Sequence, residues 1–247
     1  MRLATGQNKD HIYFDLKPRE LHMKNEKLKI AMMCYPNMTL LDLAGPEIVL
    51  SKYADIYLVW KKLEPVNTDT NISINPTVTF ANCPPDLDMI FVPGGPGTIA
   101  MMQDMEMLSF IKERARNCQY ITSVCTGSLI LAAAGLLKGV KATTHWSVRN
   151  ELAMMGAKVV NERVVCDGNR ITGGGITSGI DFGLEVIAKL INEDEAKATT
   201  LFLEYDPCPP YLCGTPEKAS EKTINMLLAD ITTVKQGVLS AINKAPN

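Results

Sequence analysis

This sequence has no excess of charge of either sign. Lysine and arginine (25) nearly balance aspartate and glutamate (27), giving a net charge of −2 at pH 7. A nucleic-acid face or an anionic membrane surface calls for a basic cluster, and none is present, so neither partner is expected. Metal-ligand spacing is missing too. The seven cysteines, at 34, 83, 118, 125, 166, 208 and 213, form no Cys-x-x-Cys pair and no Cys/His pattern. No metal held by cysteine or histidine is therefore expected. Their odd number argues against a closed disulfide framework. Apart from Cys125, they read as reduced and mostly buried, which suits a cytoplasmic setting. Long apolar runs are also absent. The longest, residues 129–137, is far too short to span a bilayer. Histidine is scarce: of the three, His11 and His22 lie in a polar N-terminal stretch, and only His145 lies in the body of the chain.

What is present is a 247-residue chain with 46% apolar residues, enough for a sizeable core. Residues 1–27 are polar, with Lys17-Pro18-Arg19-Glu20 typical of them. They lack the apolar stretch of a secretory signal and read as a flexible or peripheral extension. Residues 28–243 read as a single domain that includes a C-terminal helix. Within it, strands are expected at 28–34, 56–60, 89–92, 120–124, 159–160, 164–165 and 170–172. Helices are expected at 40–51, 105–117, 126–135, 146–155, 177–191 and 216–242, and residues 62–80 read as an extended excursion. Alternation of this kind predicts a mainly parallel sheet with helices on both faces. In such sheets the site lies beyond the carboxyl ends of the strands. Three loops leave strands there: residues 93–97, 125–127 and 173–177.

Cys125 stands where the 120–124 strand meets the small-residue helix. A cysteine at that junction aims its sulfur at the free N–H groups and positive dipole end of the helix, which favour thiolate, the nucleophilic form. Asp42, in Leu40-Leu41-Asp42-Leu43-Ala44-Gly45-Pro46, is an acid among apolar residues. It reads either as a helix N-cap or first-turn aspartate, or as a proton carrier. If it faces Cys125, burial and the sulfur raise its pKa, and the pair shares one proton. Gly94 and Gly95 can bring backbone N–H groups close to a ligand and, with the N–H of Thr126, stabilise developing negative charge. The Thr126 hydroxyl reads as a helix cap first and a water-ordering group second. His145 is the one core histidine that can act as a base, although a lone histidine is more often structural.

In order along the chain, Leu41-Asp42-Leu43-Ala44-Gly45-Pro46, Val92-Pro93-Gly94-Gly95, Ser123-Val124-Cys125-Thr126-Gly127-Ser128, Ala142-Thr143-Thr144-His145-Trp146 and Thr172-Gly173-Gly174-Gly175-Ile176-Thr177-Ser178-Gly179 resemble the DJ-1/PfpI superfamily. Within it they are most similar to the isonitrile hydratase branch, and the resemblance spans roughly residues 28–212. It implies a flavodoxin-like three-layer α/β sandwich, like that of class I glutamine amidotransferases, in a homodimer. It also implies a small-molecule substrate, no metal or cofactor, catalytic Cys125, Asp42 and Thr126, and a pocket lined by Gly94, Gly95, Ile176 and His145. The implied reaction converts an isonitrile to an N-substituted formamide through a thioimidate on Cys125. Two other readings are a glyoxalase-like enzyme acting on α-oxoaldehydes, in which His145 has to matter, and a sensor or binding module whose exposed, low-pKa Cys125 is oxidised.

Overall fold

The computed structural model describes residues 27–244; the expected extension at 1–27, save its last residue, lies outside them. The strands are β1 (Leu28–Met33), β2 (Ala54–Trp60), β3 (Val66–Asn67), β4 (Ser73–Ile74), β5 (Val78–Thr79), β6 (Met89–Val92), β7 (Tyr120–Val124), β8 (Lys141–Ala142), β9 (Lys158–Val159), β10 (Val164–Asp167) and β11 (Arg170–Gly173). The helices are α1 (Leu40–Leu50), α2 (Thr98–Met101), α3 (Met105–Arg114), α4 (Gly127–Ala133), α5 (Arg149–Met154), α6 (Ser178–Leu190), α7 (Glu193–Phe202), α8 (Glu221–Met226) and α9 (Leu228–Lys244), with a 3-10 turn at Trp146–Val148.

Seven strands form one sheet in the order β10-β11-β7-β6-β1-β2-β5. Every neighbouring pair is parallel except β10 and β11, which form an antiparallel hairpin at one edge. Strands β1 and β6 are apolar at almost every position and are buried on both faces, as central parallel strands must be. Helices α1, α6 and α7 cover one face; α2, α3, α4, α5 and α9 belong to the other. This is the flavodoxin-like sandwich expected from the sequence.

The two helices flanking the site pack unusually close. A Cβ on Gly183 of α6 would lie 2.8 Å from the Val49 side chain of α1, so the close approach requires glycine. Beneath α6, the Phe182 ring tilts against Phe91 of β6 at a centroid distance of 5.5 Å. Truncating such a fully buried phenylalanine costs about 3–5 kcal/mol. The direction of the chain reverses across β1 and β6: successive strands build outward from β1 on one side and from β6 on the other. The crevice at that reversal is where an open α/β sheet receives ligands.

Several expected elements change. Residues 193–202 form α7, started by Asn192, whose Oδ1 accepts the Glu195 N–H at 2.8 Å, and by three acids in the first turn. The expected helix at 216–242 is two, because Ser220 caps α8 only at Glu221 and a second helix begins at Leu228. The excursion at 62–80 holds the β3–β4 hairpin and then supplies β5 to the sheet edge. Lys158 and Val159 pair with β8 in a separate two-stranded ribbon. Cysteine burial is also more mixed than expected: Cys34, Cys83, Cys118 and Cys125 are buried, whereas Cys166, Cys208 and Cys213 are exposed, and all seven are free thiols.

Candidate active site

Strand β7 is buried and ends directly at Cys125, whose φ is +55°. That left-handed conformation is rare for a residue with a side chain and costs on the order of 1 kcal/mol. Both sides of the residue are clamped. Its N–H donates to the carbonyls of Gly173 at 3.1 Å and Gly174 at 2.8 Å. Its own carbonyl accepts from the hydroxyls of Thr144 at 3.0 Å and Ser128 at 3.2 Å. The strained turn throws the sulfur off the end of the sheet, toward the reversal crevice.

Asp42 meets it there from the first turn of α1. It is completely buried. Its Oδ2 accepts the Gly94 N–H at 3.2 Å, while Oδ1 has no partner among the described residues. The cap role left open for Asp42 is filled by another residue. Asp69, arriving from the excursion, accepts the Leu40 N–H at 3.2 Å and the Thr39 hydroxyl at 2.8 Å. Asp42 is thus free of helix duty and faces the sulfur. Burial pushes its carboxyl up to about 7, opposed by hydrogen bonds from Cys125 and from the Gly94 N–H.

The Cys125 thiol is pushed well above its ordinary range, first by burial and then by the Asp42 charge; the Thr126 N–H and hydroxyl act against this. The helix start favours thiolate, as the sequence suggests, and burial acts against it. Removal from water outweighs the seven-residue helix α4. Cys125 and Asp42 each stand among the causes that shift the other's ionisation.

The loop after β6 has a different duty from the one expected. The N–H groups of Gly94 and Gly95 are not free to meet developing charge. The first is spent on Asp42, and the second donates to Thr126 Oγ1 at 2.9 Å. They fix the acid and the hydroxyl beside the sulfur. Gly94 has no room for a side chain, since a Cβ there would lie 2.5 Å from the Thr126 nitrogen and 2.8 Å from the Cys125 Cβ. Nor does Thr126 cap α4 with its side chain. Its hydroxyl is held instead by Gly95 and, at 2.8 Å, by the Thr98 hydroxyl.

A model of the DJ-1/PfpI family matches residues 28–189, which carry this whole arrangement. The chain belongs to the DJ-1/PfpI family. An isonitrile hydratase from Pseudomonas putida is 47% identical over 200 residues, which cover 80% of this chain and 87% of that protein. A solved THiJ/PfpI family protein from Pseudomonas syringae superposes with a TM-score of 0.86 at 43% identity, over 94% of this chain and 98% of that one. Drosophila melanogaster DJ-1beta, at 20% identity, shares the fold with a TM-score of 0.67, over 72% of this chain and 98% of that one.

In this DJ-1/PfpI chain His145 borders the site without bonding to Cys125. Its Nδ1 is 2.8 Å from the Ser147 hydroxyl and also accepts the Ser147 N–H, so the ring caps the 3-10 turn. Among the described residues no hydrogen bond links it to Cys125. Burial and Arg149 lower its pKa, which keeps it neutral. Its ring edge packs on Gly175. A Cβ at Gly175 would lie 2.6 Å from His145 Cδ2 and 2.8 Å from the Cys125 sulfur. Gly175→Ala is therefore expected to displace the sulfur and cut Cys125 alkylation and turnover by about tenfold or more, since misplacing a reacting atom by roughly 1 Å costs that much. Iodoacetamide kinetics would check it; a rate equal to the parent's excludes the contact. Ile176 follows, 39% exposed, and its N–H donates no hydrogen bond among the described residues.

Sequence reading missed Asp69, Thr98 and Tyr35. Asp69 caps α1 from 29 residues away in the chain. Thr98 opens the four-residue helix α2, too short to leave a periodic signal. A groove of about 350 Å³ lined by Pro36, Trp60, Lys61 and Asn67 shares no residue with this cluster, and its Lys61 is already paired with Asp104 at 2.6 Å.

Proposed function

We propose that the protein is an isonitrile hydratase that uses Cys125 as nucleophile and Asp42 as proton carrier. One observation carries the reading: a completely buried carboxyl, raised to about 7 and with one oxygen unpartnered, faces a strained cysteine at the end of β7. The 47% identity to an isonitrile hydratase supports the substrate class.

The reaction needs both groups. With one proton on the pair, Asp42 takes the thiol proton and the sulfur bonds to the terminal isonitrile carbon. The same proton passes from Asp42 to that carbon, giving a thioimidate, R–N=CH–S–Cys125. Water then adds to the carbon, the nitrogen gains a proton, and the C–S bond breaks. The products are R–NH–CHO and the free thiol, so the net change is addition of one water. A preformed thiolate is not required, which fits the raised thiol pKa. The Thr126 hydroxyl steadies charge on sulfur, and the Ile176 N–H, with Gly94, Gly95 and His145 around it, lines the pocket.

The two other readings draw less support. A glyoxalase needs a base that moves a proton between carbons, and among the described residues no hydrogen bond ties His145 to Cys125; the ring's Nδ1 is turned to Ser147. A thiol sensor needs an exposed, acidic sulfur, but Cys125 is 5% exposed and its pKa is raised. The proposed assembly is a homodimer. Leu201, Phe202, Tyr211, Leu212 and Met226 are each at least 75% exposed, more apolar surface than a lone chain usually shows to water.

Incubation of the purified protein with cyclohexyl isocyanide is expected to yield N-cyclohexylformamide, followed by proton NMR, and incubation with methylglyoxal no lactate. Lactate without formamide would transfer the site to the glyoxalase reading.

A further inference from the structure

The loop that walls the sulfur has little of its own to hold it. Residues 174–177 join β11 to α6, and two of the four are glycines, whose backbone is the least restricted. Gly175 must nevertheless stay in one place, because it packs against both the Cys125 sulfur and the His145 ring. Thr177, at the helix start, makes no cap with its side chain. The restraint comes from outside the loop. Arg163, just ahead of β10, holds both of its ends. At the first end its carbonyl accepts the Gly174 N–H at 2.9 Å. At the other its Nη2 donates to the Thr177 hydroxyl at 3.1 Å, and its Nε donates to Oδ2 of Asp181, in the first turn of α6, at 2.6 Å. Asp181 is fixed in turn by Tyr205, whose hydroxyl donates to the same oxygen at 3.0 Å. Tyr205 is brought there by the end of α7. Glu204 takes φ +49°, and the N–H groups of Glu204 and Tyr205 close on the carbonyls of Leu201 and Thr200. The guanidinium is about half exposed, so the ion pair adds little to global stability. What it supplies is a planar fork that reaches an acid and a hydroxyl at once.

We propose that Arg163 is a positioning residue for the site: its carbonyl and its guanidinium staple the two ends of residues 174–177 and so fix the wall that Gly175 presents to the Cys125 sulfur. Gly175 and Ile176 lie between the fixed ends and cannot lift unless one of them lets go. Among the described residues Arg163 makes no hydrogen bond to Cys125, and it acts only through the loop. Any substitution at 163 keeps the carbonyl bond to Gly174, so it frees the Thr177 end alone and leaves the Cys125 turn in place. The inference rests on Cys125 as the reactive group of the site, and its readout does not require isonitrile turnover.

The test is the rate of Cys125 alkylation by iodoacetamide at pH 8, in the full chain with the six other cysteines replaced by serine or alanine, beside thermal melting. The sulfur is 5% exposed, and a loosened wall lets the reagent in. Arg163→Gln is therefore expected to speed alkylation about threefold to tenfold, the range of one ion pair with its hydrogen bonds. Thr177→Val, which removes the far anchor, does the same, and Thr177→Ser, which keeps the oxygen, stays at the parent's rate. The Arg163→Gln, Thr177→Val double variant is no faster than the faster single one, because both release the same end. Lys61→Met is the control. It removes ion pairs to Asp104 and Glu106 away from the site and is expected to leave alkylation unchanged whatever it does to melting. An Arg163→Gln rate equal to the parent's overturns the proposal. So does a rise that Lys61→Met matches, or one that simply multiplies with that of Thr177→Val. If the expected pattern holds while cyclohexyl isocyanide is untouched, the hydratase reading fails and the staple stands; formamide production with no response of alkylation to Arg163→Gln leaves the hydratase and sinks the staple.

Discussion

Cys125→Ala is expected to end formamide production, with turnover down by at least about 10³-fold, while the fold survives. Removing a nucleophile removes both covalent steps at once, and the remaining groups cannot restore them. The structural cost is small for a specific reason. The strained turn is held by main-chain contacts to Gly173, Gly174, Thr144 and Ser128, none of which uses the sulfur. Alanine must still adopt φ near +55°, but so does cysteine, and the strain is common to both. The lost burial of one small side chain is on the order of 1 kcal/mol, a shift of about 2–4 °C in a chain of this size. Circular dichroism and thermal melting beside the NMR assay separate the two effects. Residual turnover above a hundredth of the parent's would show that sulfur forms no bond to substrate and that Asp42 and bound water suffice. Cys125→Ser is expected to be equally inactive, since a serine hydroxyl beside a carboxyl of pKa about 7 is far too weak an acid to be ionised by it.

Cys125 and Asp42 were legible as a candidate pair because each sits where local sequence breaks its own pattern. Cys125 interrupts the join between an apolar strand and a small-residue helix, and Asp42 is a lone carboxyl in an apolar first turn. The mainly parallel sheet followed from alternation, and the three loops met where such a sheet brings them. Illegible were the groups whose role depends on partners distant in the chain. Asp69 takes the cap of α1, and nothing near Asp69 announces it. Gly94 and Gly95 looked like an oxyanion cradle because glycine-rich loops often are. Only the three-dimensional arrangement shows their N–H groups already committed to Asp42 and Thr126. The ionisation of Cys125 was only half legible, for an energetic reason. The helix start is visible in sequence, but the depth of burial is not, and burial is the larger effect. Helix α7 is a different case, because its Asn192 cap and run of acids were visible and were passed over.

Asp42→Asn is expected to move activity and thiol reactivity in opposite directions. Without the carboxyl no group takes the thiol proton and returns it to carbon, so turnover falls by about 10²–10⁴-fold, the usual contribution of a positioned acid–base group. The Asp42 charge, however, is one of the causes that hold the thiol up, and asparagine removes it. Alkylation of Cys125 at pH 8 therefore speeds up in the variant that no longer hydrates isonitriles. The pH dependence follows with a definite sign. Burial raises Asp42 from 3.8 to about 7 in the folded chain. Between roughly pH 4 and 7 the unfolded chain releases this proton and the native state keeps it, so stability falls as pH rises through that window and levels off above it. Activity runs the other way. The doubly protonated pair is inert, and loss of its first proton near pH 7 creates the reactive form, so kcat/KM rises through pH 7 to a plateau. Parent and Asp42→Asn melting curves from pH 4.5 to 8.5 isolate the group, because all other titrations cancel in the difference. The variant should gain stability over the parent progressively up to about pH 7. A constant difference across that range, or slower alkylation in the variant, would mean that Asp42 is not the buried proton carrier and that the raised thiol has another cause. If both hold, the protein gives up stability in the same pH interval in which it becomes active, because a carboxylate kept from water next to a sulfur is costly to bury and is the base the reaction needs.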